Sequence, residues 1–204
     1  MVSSIELFNL KGKRALITGS SQGIGFALAK GLNSAGAEIV LNGRNKEKLD
    51  KAAKSLKSAY SLYQLCFDVT DQKETKNKID NFEEQFGSID ILINNAGMQF
   101  RSPLEDFPSD MFEKLLSTNV SSIFNVGQAV AKHMIKRGYG KIINIASVQT
   151  SLARPGIAPY TATKGAVGNL TKGMATDWAK YGIQCNALAP GYFDTPLNAA
   201  LVSD

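Results

Sequence analysis

The sequence predicts an α/β protein with a parallel sheet covered by helices on both faces. Three observations predict it. Strand-like and helix-like runs alternate along all 204 residues. A glycine-rich turn joins the first strand-like run to the first helical one. The residues best suited to chemistry fall at the ends of strand-like runs, or in the loop or helix that follows. Such alternation implies right-handed crossovers between parallel strands. In a sheet of that kind the ligand crevice lies beyond the carboxyl ends of the strands.

Taken in order, the predicted strands are 14–18 (RALIT), 37–42 (AEIVLN), 62–67 (LYQLCF), 89–93 (IDILI), 141–146 (KIINIA) and 183–188 (IQCNAL). Each is short and mostly apolar, as a strand buried on both faces must be. The predicted helices are 23–35, 46–58, 71–86, 109–117, 119–137 and 159–181. The first carries the amphipathic run GFALAKGLNSAG. On the second, Lys48, Lys51, Lys54 and Lys57 recur every third residue, which reads as a solvated face. Asp68 could cap the third, beside Thr70 and Asp71. Asn119 stands as a cap or kink residue where the fourth meets the fifth. No internal repeat, low-complexity stretch or linker interrupts the pattern, so one domain spans 1–204.

The turn after the first strand reads TGSSQGIG, with Gly19, Gly23 and Gly25 as G-x-x-x-G-x-G. Glycines there let backbone approach a pyrophosphate and let a helix start close to the strand. The helix then presents free N–H groups and its positive dipole end to phosphate. Tyr160 and Lys164 lie four residues apart and share a helix face, and Ser147 ends the apolar run KIINIAS. An ammonium beside a phenol favours the phenolate and lowers its pKa from ~10. That would make Tyr160 a proton donor and acceptor near neutral pH.

Composition excludes several other classes. Hydrophobic content of 44% and charged content of 20% are those of an ordinary globular protein. There is no apolar run of about 18 residues, the minimum for a membrane helix. The N-terminus lacks the basic-then-apolar pattern of a secretory signal. Cys66 and Cys185 read as buried thiols, and a cytoplasmic location is expected. The net charge of +5 is spread along the chain without an aromatic-rich basic patch, against nucleic-acid binding. His133, the sole histidine, reads as a surface or helix-end residue, and no ligand cluster suggests a metal.

Seven motifs in order carry a resemblance: Thr18 to Gly25 (TGSSQGIG), Phe67 to Val69 (FDV), Asn94 to Gly97 (NNAG), Thr118 to Val120 (TNV), Ser147, Tyr160-x-x-x-Lys164, and Ala189 to Thr195 (APGYFDT). On these the chain resembles the short-chain dehydrogenase/reductase family, with its Rossmann-type doubly wound sheet. The segments LNGRN, INNAGMQFRSPLEDF, ARPGIAPYTATKGAV and LTKGMATDWA narrow the resemblance to the branch that interconverts D-gluconate and 5-keto-D-gluconate.

The second strand ends LNGRN, with Gly43 where an acidic residue would hold a ribose 2′-hydroxyl, followed by Arg44. A guanidinium suits a 2′-phosphate, so the expected cofactor is NADP. The resemblance assigns the remaining roles. Gly19, Ser20, Ser21, Gly23, Ile24 and Gly25 would hold the phosphates. Asp68 and Val69 would flank adenine, and Asn95, Ala96 and Gly97 would follow the ribose. Pro190, Gly191 and Thr195 would hold the carboxamide. Ser147 would bind the substrate oxygen and Tyr160 would donate the proton. Lys164 would tune Tyr160 and hold the nicotinamide ribose, and Asn119 would anchor a water chain. Gln99, Arg101, Gln149 and Arg154 lie in the loops that would meet a sugar acid, with Arg101 favoured for its carboxylate.

The resemblance also implies a homodimer or homotetramer through helices 119–137 and 159–181, with Ile123, Val126, Ala166 and Leu170 as extra apolar positions. Members usually continue past the point where this chain stops, into a substrate lid, another helix and a seventh strand. A shortened domain of about six strands is therefore expected. A reductase of another ketone, such as a 3-oxoacyl thioester, and an inactive cofactor-binding remnant stand as alternatives.

Overall fold

The computed structural model describes residues 6–193. Among them, six strands form one all-parallel sheet in the order β3-β2-β1-β4-β5-β6. They are β1 (Arg14–Ile17), β2 (Glu38–Gly43), β3 (Leu62–Cys66), β4 (Ile91–Asn94), β5 (Gly140–Ile145) and β6 (Ile183–Leu188). The helices are α1 (Gly23–Ser34), α2 (Lys46–Leu56), α3 (Gln72–Phe86), α4 (Ser109–Leu116), α5 (Ser122–Arg137) and α6 (Ala158–Trp178). This is the expected Rossmann-type sheet, and the predicted strands and helices are all present.

Strand periodicity divides the core into two layers. Leu16, Val40, Leu92 and Ile142 point to one face and pack with Ile79 and Phe82 of α3, Val126 and Val130 of α5, and Val167 and Met174 of α6. Ala15, Ile17, Ile39, Leu41, Ile91 and Ile93 point to the other, against Ala29 of α1 and Leu49, Ala52 and Leu56 of α2. Successive residues of one strand therefore serve opposite layers. The apolar runs are continuous because both faces are covered.

Chain order reverses between β1 and β4, so their carboxyl ends open a crevice at that point. Hydrogen bonds fix its two walls. Thr18 Oγ1 accepts from the backbone N–H of Asn95 at 2.9 Å and of Ala96 at 3.0 Å. Asn95 Nδ2 donates back to the Thr18 carbonyl at 2.9 Å. Beyond β5 and β6, Val148 N–H donates to the Pro190 carbonyl at 3.0 Å and sets the 190–193 segment beside Ser147.

Four local expectations change. The cap of α3 is Asp71, which accepts from Glu74 N–H, whereas Asp68 accepts from Thr70 N–H and Oγ1. Lys57 lies past the end of α2 in a left-handed conformation, off the lysine stripe. Cys66 is half-buried rather than buried, while Cys185 is buried and its thiol is pushed up to about 11 by that burial. Ile123 and Val126 face inward with 2% and 1% exposure, so they supply no outer apolar surface.

Candidate active site

A cleft of about 580 Å³ runs across the carboxyl end of the sheet. At one end it is lined by Arg44, Asp68 and Val69, and at the other by Ser147, Gln149, Tyr160 and Tyr192. Gly19, Ser21, Gly23, Ile24, Asn95, Ala96, Gly97, Lys164, Pro190 and Gly191 line the stretch between. Most of the residues singled out in the sequence thus come together in one groove.

The phosphate turn is built by two glycines with positive φ, Gly19 at +61° and Gly23 at +60°. A Cβ at Gly19 would lie 2.9 Å from Ala96 Cα, and one at Gly25 would lie 2.6 Å from the Gly19 carbonyl oxygen. Side chains at these points would clash with the turn itself and with the loop after β4. Gln22 makes no side-chain cap, so the first N–H groups of α1 stay available at the cleft. An anion at that end has both donors and a favourable dipole. The residues of the cleft therefore fit a dinucleotide, whose phosphates the start of α1 would hold.

Arg44, with its side chain 74% exposed, pairs loosely with Asp68 at 3.5 Å across the far end. Burial pushes the Asp68 carboxyl up, but the two Thr70 bonds and Arg44 together hold it below its usual value. This end of the cleft thus carries a solvent-exposed cation beside a carboxylate. Lys48 also lines this end, so one member of the stripe read as a solvated face borders the cleft.

At the chemical end, β5 delivers Ser147 and α6 delivers Tyr160 and Lys164. Ser147 and Tyr160 both line the cleft, and Ser147 Oγ accepts from Gln149 N–H at 3.2 Å. The expected ammonium–phenol contact differs from what the fold builds. Lys164 Nζ lies 5.7 Å from the Tyr160 ring centre and donates to the Ile145 carbonyl at 2.7 Å. Burial raises the Tyr160 phenol above its usual range. The neighbouring Ser147 hydroxyl opposes that rise, and the nearby Tyr192 adds to it. The same burial lowers Lys164 to about 8.

Asn119 is 1% exposed and does not border the cleft. A single π-helical turn, Ser117–Ser121, interrupts the α4–α5 helix and directs Asn119 inward. Its Oδ1 accepts from Met98 N–H at 2.8 Å, and its Nδ2 donates to the Met98 carbonyl at 3.0 Å and to Thr163 Oγ1 at 3.1 Å. It pins the loop after β4 to α6. Such bulges occur often at functional sites.

Other expected residues lie elsewhere. Ser20 is fully buried and donates to the Ile17 carbonyl at 2.8 Å, so it braces the turn from below. Gly25 is packed beneath the turn. Of the four proposed substrate contacts, Gln99 and Gln149 border the cleft, whereas Arg101 and Arg154 do not. Phe100, next to Arg101, packs edge-on against Phe107, and Ser102 N–H donates to the Gly156 carbonyl at 3.1 Å. Thr195 lies outside the described residues. Sequence reading missed Tyr192 and Lys114, which both border the cleft. The Tyr in APGYFDT was the only available signal for Tyr192.

The decisive comparison concerns the family pattern. The model of the short chain dehydrogenase family matches residues 13–204. The chain belongs to that family. It is 59% identical over 208 aligned residues to gluconate 5-dehydrogenase of Gluconobacter oxydans, covering 100% of this chain and 80% of that protein. It is 44% identical to 5-keto-D-gluconate 5-reductase of Escherichia coli K12, covering 98% of this chain and 79% of the relative. Among solved structures it superposes with a TM-score of 0.96 on a gluconate 5-dehydrogenase from Burkholderia cenocepacia in complex with NADP and tartrate. That match is 56% identical and covers 99% of this chain and 80% of the other.

Proposed function

We propose that the protein is an NADP-dependent oxidoreductase that interconverts D-gluconate and 5-keto-D-gluconate. The observation that carries this reading is one cleft with a cationic nucleotide end at Arg44 and a Ser147–Tyr160 pair at the other end. The 59% and 44% identities to sugar-acid enzymes support the substrate class. When bound, the nicotinamide supplies or accepts a hydride, and everything else falls to this chain.

Ser147 Oγ holds the ketone oxygen and Tyr160 Oη gives that oxygen its proton. In the reverse direction Tyr160 takes the proton from the alcohol. Lys164, anchored by Ile145, sets a positive charge beside the ring and offers its remaining N–H groups to a ribose. Arg44 would hold the 2′-phosphate. Pro190 and Gly191 border the nicotinamide end, and Ser21, Gly23 and Ile24 border the phosphates. Asn119 keeps Met98 and Thr163 in place, one beside Gly97 in sequence and the other on the helix that carries Tyr160.

We also place a homodimer or homotetramer contact on α5 and α6. Phe124 on α5 is 43% exposed, and Ala166 and Leu170 on α6 are half-buried, which supports that surface. A reducing compartment such as the cytoplasm fits the two unpaired thiols of Cys66 and Cys185.

The test is NADPH oxidation by purified protein with 5-keto-D-gluconate, run beside NADH and an acetoacetyl thioester. Decay of NADPH with the keto acid alone supports the assignment. Decay with the thioester would move the protein to another substrate class. NADPH binding without turnover of either would leave a cofactor-binding protein only.

A further inference from the structure

The cleft holds more cation than its lining acids can balance. Arg44, Lys48, Lys114 and Lys164 border it, and among the described residues Asp68 is the sole carboxylate that does. Asp68 is already engaged by Arg44 and by Thr70. Lys164 is tied to the Ile145 carbonyl. That leaves Lys48 and Lys114, to which the reaction above gives no role.

Both lysines are exposed, and neither ammonium makes a hydrogen bond or ion pair among the described residues. Lys48 lies in the first turn of α2. The positions three and four residues from it are Asn45, Arg44, Lys51 and Ala52, so no acid stands at helical pairing distance. Lys114 lies on α4 four residues after Asp110, the spacing of a helix pair, yet the two do not pair. Lysines elsewhere at that spacing do, Lys46 with Asp50 and Lys76 with Asp80.

The two also stand on opposite sides of the phosphate turn. α2 follows β2 and α4 follows β4, and β2 and β4 flank β1, whose end carries the turn. A cleft lined mostly by one sign of charge, with protein walls, focuses its field on the space between them. An anion approaching the start of α1 therefore meets a lysine on either hand.

We propose that Lys48 and Lys114 are capture cations. Their field draws the anionic cofactor into the cleft, and draws a dinucleotide with a 2′-phosphate in faster than one without. The effect falls on association, whereas Arg44 and the glycine turn act on the seated cofactor. This rests on the NADP reading above.

The experiment is stopped-flow fluorescence of NADPH and of NADH binding to the purified protein across a range of ionic strength. Lys48→Gln combined with Lys114→Gln lowers the NADPH association rate about 10-fold at low salt and flattens its salt dependence. The dissociation rate stays near that of the wild type, and NADH association falls less. Lys48→Arg combined with Lys114→Arg keeps the wild-type association rate. Arg44→Ser shows chiefly faster NADPH dissociation. Lys78→Gln combined with Lys136→Gln removes the same net charge from exposed positions off the cleft, and leaves NADPH association nearly unchanged. An unchanged association rate in the Lys48/Lys114 variant, an equal fall in the Lys78/Lys136 variant, or a change confined to dissociation overturns the proposal while the cofactor assignment stands. A wild-type protein that binds NADH as tightly as NADPH overturns the NADP reading, and this proposal with it.

Discussion

Lys164 donates from Nζ to the Ile145 carbonyl at 2.7 Å, tying a buried cation on α6 to the last residue of β5. Lys164 is 6% exposed, and burial lowers the pKa of its amine to about 8, below the ordinary 10.5. Burying it charged is unfavourable, so its place in the fold answers to chemistry rather than stability.

That relationship predicts a pH-dependent stability difference. Between about 8 and 10.5 the unfolded chain binds the Lys164 proton and the folded one does not, so stability from this group rises with pH. Below 8 the full penalty is present. Cys185, raised from 9.0 to about 11, acts with the opposite sign, so the comparison must be with a variant that keeps it. Relative to Lys164→Met, the wild type should gain about 3 kcal/mol between pH 7.5 and 10.5. Denaturant melts of both proteins across that range check this, and a flat difference would contradict it. The variant should also lose turnover.

Ser147→Ala removes the one contact that lowers the Tyr160 phenol. The alkaline rise in D-gluconate oxidation should then move to higher pH, with kcat down about 100-fold. A pH–rate profile whose midpoint stays in place would show that Ser147 does not tune the phenol.

Asn119→Ala should destabilise the fold by about 2–4 kcal/mol, because Met98 N–H and carbonyl and Thr163 lose a buried partner together. Thermal melts measure it. A loss of activity with full stability would mean that Asn119 acts on solvent rather than on the loop.

Arg44→Ser should raise the KM for NADPH about 10- to 100-fold and leave that for NADH nearly unchanged. Steady-state titration with both cofactors decides. Equal changes would remove Arg44 from 2′-phosphate recognition.

The sheet was legible because strands buried on both faces write themselves as apolar runs, as IDILI and KIINIA do. The glycine turn was legible because Gly19 and Gly23 carry conformations that other residues avoid. Spacing could not show where flexible side chains point. Tyr160 and Lys164 share a helix face, yet the amine turns to Ile145 because a buried carbonyl outcompetes a phenol for it. Ser20 and Ser21 are adjacent in sequence, and the turn sends one into the core and the other to the cleft. Arg101 follows Gly97 closely in sequence, yet Gln99 lines the cleft and Arg101 does not. Asn119 was readable as a kink residue, but the π turn that aims it inward leaves no local signature in STNVS.

The most direct test of the central claim is reduction of 5-keto-D-gluconate with NADPH deuterated at the transferring position, followed by mass and NMR analysis of the product. The account predicts D-gluconate with one deuterium at C5, formed in step with NADPH loss and absent in Tyr160→Phe. Unlabelled product, label at another carbon, or equal turnover by Tyr160→Phe would contradict it.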